Sequence, residues 1–148
     1  MTDDRQRVTS GTVWEDLVGF SRAVRVDRFV YVSGTTATDD EGNAVGVGDP
    51  AVQTEYIIQK IERALQEAGA TLDDVVRTRI YVLNADDWEA VGRVHGRYFS
   101  QTRPANTLVE VSRLVGDEYL VEIEVDAVVR AEGRELKAEN ENDGAGRA

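Results

Sequence analysis

The chain contains no cysteine, which excludes disulfides and thiol chemistry. Histidine occurs once, at His95, and a zinc site would lack its ligands; no metal is expected. Lysine is almost missing too, with Lys60 and Lys137 alone against a background of arginine. No apolar run approaches the roughly 20 residues of a membrane span, so no membrane partner is expected. The opening residues after Met1, TDDRQR, lack the apolar core of a secretory signal, and a cytoplasmic location is expected.

Acid is what the chain has in excess. Asp and Glu number 28 against 17 Lys and Arg, for a net charge of −11. Nucleic-acid phosphates need clustered Lys and Arg, so no nucleic-acid partner is expected. A Lys-poor acidic surface suits a salt-rich cytoplasm, where ions screen self-repulsion. The same charge would also keep an ordinary acidic protein in solution.

The 148 residues suffice for one domain with a real core. Residues 1–13 are polar and expected to be flexible. Residues 14–130 are expected to form the domain. Residues 131–148 form an acidic segment with few apolar residues, expected to be disordered.

Within the domain, RAVRVDRFVYVSG (22–34) predicts two strands turning near Asp27. Asp49 and Pro50 mark a helix start, Ile57, Ile61, Ala64, Leu65 and Ala68 form one apolar face, and Gly69 closes the helix. Residues 75–84 predict a strand and 86–101 a second helix, weakened by Gly92 and Gly96. Residues 106–114 and 118–130 predict two further strands, the last alternating apolar with mostly acidic residues. That order implies an α+β domain with two helices on one face of a mixed sheet.

Generic catalytic motifs are absent: there is no phosphate loop, no GxGxxG and no GxSxG. The single residues that could carry chemistry also have plain structural roles. Glu122 and Glu124 share a strand face, as a carboxylate pair or as a solvated edge. Arg77 and Arg79 share another and are expected to pair with acids across the sheet. His95 fits a surface or interface position, and Trp14 and Trp88 are expected to be packing residues.

The ordered set YVSGTTATDDEGN, ALQEAGATLDDVVRTRIYV, YFSQTRPANTLVEVSRL and VEIEVDAVV carries more information than any one residue. Across residues 18–130 it resembles the reactive-intermediate deaminase family (Rid, YjgF-like, once labelled endoribonuclease L-PSP). The resemblance implies a chorismate-mutase-like, YjgF-like α+β fold assembled as a homotrimer, with small-molecule clefts between subunits and no cofactor. Archetypal members hydrolyse 2-imino acids or their enamine tautomers to 2-oxo acids and ammonia.

The resemblance also implies site residues. The Ser-Gly that helps to hold substrate falls on Ser33 and Gly34, and the water-holding Glu on Glu122. The Tyr position falls on Phe20, which lacks the hydroxyl. The Arg that grips the substrate carboxylate falls on Asn106. An Arg offers a charged fork, whereas Asn offers a neutral NH₂ and one acceptor. Losing one partner of a buried charge pair costs roughly 2–5 kcal/mol, on the order of 30- to several-thousand-fold. Arg22 shares a strand face with Phe20, and Arg103 precedes Pro104 at the cleft rim; either would return a positive charge, or pair with surface acids.

Three functions follow. One is a trimer whose cleft binds a small metabolite, or hydrolyses one of imine or enamine type, without archetypal 2-imino acid deaminase activity. Another is an active 2-iminobutanoate/2-iminopropanoate deaminase using Arg22 or Arg103. The third is a non-enzymatic acidic chaperone or partner-binding trimer. A ribonuclease is disfavoured by the net charge of −11 and by the want of a His-based acid–base pair.

Overall fold

The structure is a computed structural model describing residues 3–131. Its elements run β1 (Gln6–Val8), α1 (Val13–Val18), β2 (Ala23–Val26), β3 (Phe29–Thr35), α2 (Pro50–Glu67), β4 (Val75–Val82), α3 (Trp88–Phe99), β5 (Ala105–Glu110) and β6 (Val121–Val128). They build one six-stranded sheet in the order β1-β2-β3-β6-β4-β5. Only β4 and β5 pair in parallel; the other neighbours are antiparallel. This is the expected mixed sheet of an α+β domain.

α2 forms as its sequence dictates. The Asp49 carboxylate accepts hydrogen bonds from the amides of Ala51 and Val52, and Pro50 occupies the first helical position. Gly69 takes a left-handed φ of 79°. The amide of Ala70 then reaches the carbonyl of Leu65, and that of Gly69 the carbonyl of Gln66, ending the helix in a Schellman motif. Ile57, Ile58, Ile61 and Leu65 pack with Val30, Ile80, Val82, Ile123 and Val125 into a core between sheet and helices. In β6, Val121, Ile123, Val125 and Ala127 face that core while Glu122, Glu124 and Asp126 face away.

Several expectations change. Residues 6–8 are not a frayed end: β1 pairs with β2, the Gln6 side chain donates to the Glu67 carbonyl, and Val8 is buried. α1, unread in the sequence, closes on Gly19. The second helix is shorter than 86–101, because residues 85–87 form a 3₁₀ turn capped by Asn84. Trp14 and Trp88 are not packing residues within the chain, being 55% and 61% exposed. α1 buries Glu15 alone, and α3 buries Val91, Val94 and Phe99 in place of Trp88. Arg79 does pair as expected, with Asp126 at 3.1 Å. The acidic segment expected at 131–148 lies, from residue 132 on, outside the described residues.

Candidate functional site

The expected site residues fall into two groups. In the first, a β-bulge sits at the end of β3: Val32 pairs with Val125 and Thr35 with Ile123, so Ser33 and Gly34 together oppose Glu124 alone. Ser33 is held by its own bonds, its amide to the Arg22 carbonyl at 3.0 Å and its hydroxyl to the Ser21 carbonyl at 2.6 Å. Gly34 is pressed against Glu122, and a methyl group there would collide with Glu122 Oε1. A side chain at position 34 would push the Glu122 carboxylate out of its present place.

Arg22 joins this group. Its Nη2 donates to the Gly34 carbonyl at 2.9 Å, and its guanidinium lies 5.7 Å from the centre of the Phe20 ring, a cation–π contact. Its Nε is buried with no acceptor among the described residues. Burial lowers the Arg22 pKa, while Glu15 and Glu122 oppose that shift. Burial raises the Glu122 pKa, and Glu124 adds to the rise while Arg22 opposes it. A half-buried carboxyl tuned upwards beside a cation can hold and move a proton.

Lys60 was missed in the sequence. Its Nζ donates to the Thr36 carbonyl at 2.9 Å, and burial, with repulsion from Arg22, lowers its pKa to about 8. A signal was there: Lys60 lies three residues after Ile57 and four before Ala64, on the apolar stripe of α2.

The second group is built on the other face of the sheet. Asn106 pairs with Thr78 across β5 and β4, and its Nδ2 donates to Thr78 Oγ1 at 2.8 Å. Thr78 is fully buried and lies 2.9 Å from His95 Nε2 on α3. Burial lowers the His95 pKa, and its ring leans on Phe99 at 4.6 Å between centroids. Arg103 takes a left-handed φ of 50°, with its amide on the Phe99 carbonyl at 2.8 Å. A cavity of about 310 Å³ opens between His95, Phe99, Arg103 and Pro104.

Asn106 and Glu122 therefore do not meet within one chain. Asn106 reaches towards α3 on the helix side of the sheet, while Glu122 points from the opposite side. A larger cavity, of about 600 Å³ near Arg28, Asp73 and Arg130, contains none of the expected site residues. It lies at the opposite end of β3 and β6 from Gly34 and Glu122, so we do not place the chemistry there. Among the described residues no His, Cys, Asp and Glu cluster fit to hold a metal is present, and no helix is long and apolar enough to cross a membrane.

Comparison with known proteins gives a consistent answer. The family model described as endoribonuclease L-PSP matches residues 14–129. A Mycobacterium tuberculosis member of the YjgF/YER057c/UK114 family is 48% identical in sequence. It superposes with a TM-score of 0.77 over 84% of this chain and 99% of that one. A Yersinia pestis protein of the Rid family is 30% identical with a TM-score of 0.75, covering 84% of this chain and 99% of that one. The 3-aminoacrylate deaminase RutC of Acinetobacter baylyi is 36% identical over 107 residues, 72% of this chain and 84% of that protein.

Proposed function

The chain belongs to the Rid, or YjgF-like, family described as endoribonuclease L-PSP, and from that premise we propose a homotrimer that hydrolyses a small imine or enamine metabolite in clefts between subunits. The observation carrying this is Glu122, a half-buried carboxyl of raised pKa packed on Gly34 beside Arg22. The relative's name supports the class, since 3-aminoacrylate is an enamine.

Glu122 serves such a reaction in two protonation states. As the acid it protonates the enamine carbon, giving the iminium ion. As the carboxylate it takes a proton from water as the oxygen bonds to the iminium carbon. The resulting carbinolamine expels ammonia with a returned proton and leaves a carbonyl. The Phe20 and Arg22 pair and the bulged Ser33–Gly34 backbone form one wall. Asn106 and Arg103 from a neighbouring subunit form the other, which accounts for their separation within a chain. Asn106 supplies no charge, so this is not an archetypal 2-imino acid deaminase. Apolar groups on the outward sheet face, Phe29, Tyr31, Val76 and Val109, are exposed in the single chain and suit a subunit contact.

A second reading has its own observation. Arg22 is a half-buried cation beside Glu122, its Nε without an acceptor among the described residues; a substrate carboxylate meeting its guanidinium would restore 2-iminopropanoate turnover.

Ammonia release separates the two. With 2-iminopropanoate generated in situ, the wild type is expected to stay near the no-enzyme blank. Asn106→Arg should raise it, and adding Phe20→Tyr should raise it further. With 3-aminoacrylamide, a neutral enamine, the wild type should release ammonia and Glu122→Gln should not. Strong wild-type turnover of 2-iminopropanoate that is lost in Arg22→Gln would favour the second reading. No turnover in any variant would leave a binding protein and reject hydrolysis. A stable monomer in sedimentation would reject the shared cleft.

A further inference from the structure

The Asn106–Thr78–His95 chain is directional. An amide nitrogen can only donate, so Thr78 Oγ1 accepts from Asn106 Nδ2 at 2.8 Å. The Thr78 hydroxyl hydrogen is then free for its other neighbour, His95 Nε2 at 2.9 Å. Thr78 is fully buried, and directing that hydrogen elsewhere would leave it unsatisfied. His95 accepts it as a neutral ring carrying its own hydrogen on Nδ1. Burial of His95 favours the neutral form. With its nitrogen committed inward, Asn106 presents Oδ1 outward, and that oxygen has no donor among the described residues.

We propose that Thr78 and His95 are positioning residues that fix Asn106 with its carbonyl oxygen towards the ligand, selecting a neutral amide or ureido group over a carboxylate. The inference rests on residue 106 facing the ligand cleft. That placement belongs to the proposed shared cleft; within one chain the 310 Å³ cavity is lined by His95, Arg103 and Pro104, and Asn106 lies beside it, bonded through Thr78 to His95. In that reading an amide suits both residues: its oxygen would accept from Arg103, and its N–H would donate to Asn106 Oδ1. A carboxylate would satisfy Arg103 and be repelled by Oδ1.

The test titrates propionamide and propionate, probes of nearly equal shape, into the isotope-labelled full chain and follows the Asn106 side-chain amide by nuclear magnetic resonance. Propionamide should bind about tenfold more tightly than propionate. In His95→Phe the Thr78 hydrogen is released to Asn106 Oδ1, the amide turns, and the preference should collapse or reverse. Thr78→Val should act likewise. His95→Gln, whose side-chain carbonyl accepts the Thr78 hydrogen, should keep it. If His95 were merely structural, His95→Phe would weaken both probes alike and leave their ratio unchanged. That result, equal binding, a wild-type preference for propionate, or no shift with either probe would overturn the inference. The shared-cleft reading fails separately, by sedimentation as a monomer, with the probe ratio still readable at Asn106.

Discussion

Glu15 and Glu122 are both acids withdrawn from water, and their neighbours move them in opposite directions. Burial disfavours the Glu15 charge. Hydrogen bonds from Ser10, Thr9 and Thr12 nevertheless hold its pKa down to about 2, against an ordinary 4.5. Its stabilisation is therefore complete above 4.5 and is lost as pH falls towards 2. Glu15→Gln should cost about 1–3 kcal/mol at neutral pH, read by chemical denaturation, because the Ser10 and Thr12 donors lose their charged acceptor. Glu122 runs the other way. Its folded pKa lies above 4.5, so above that folded value its charge burdens the native state, and the burden fades as pH falls towards 4.5. Glu122→Gln should raise the melting temperature at pH 7, with the gain gone well below pH 4.5, while abolishing ammonia release. A residue that weakens the fold where it stands is in keeping with a working acid.

At the scale of elements, legibility followed length and period. α2 could be read because eighteen residues carry a stripe, a cap and a stop signal together. Asp49→Ala should cost about 1 kcal/mol, seen as a lower urea midpoint at unchanged slope. β6 was equally plain from its strict alternation. β1 was not, because three residues show no period and only pairing with β2 makes them a strand. α1 spans six residues, too few to display a face. The buried Gln53 was hidden for a related reason. It clamps the 111–120 loop by donating to the Glu118 carbonyl and accepting from the Leu120 amide, partners some 65 residues distant in sequence. Resemblance singled out Glu122, Ser33 and Gly34, and the structure brings them together. The arrangement around Asn106 was illegible, since no local pattern reveals that Thr78 would join it to His95.

For the whole molecule, the net charge of −11 dominates. Like charges oppose the compact state, and ions screen them within about 10 Å at 0.1 M. The melting temperature should rise between low and molar salt, and a scan indifferent to salt would leave the acidity without a physical role. The two faces of the sheet have a different consequence. Because Asn106 and Glu122 project from opposite sides of one chain, the proposed shared cleft would take them from different subunits, and a defect at either would fall in a different half. Two separately crippled proteins, one altered at each position, should then complement one another. Unfolded together and refolded as mixed oligomers, they would rebuild about a quarter of their clefts from two sound halves by random assortment. Activity would return from a mixture of two inactive preparations, and would stay absent if each chain worked alone.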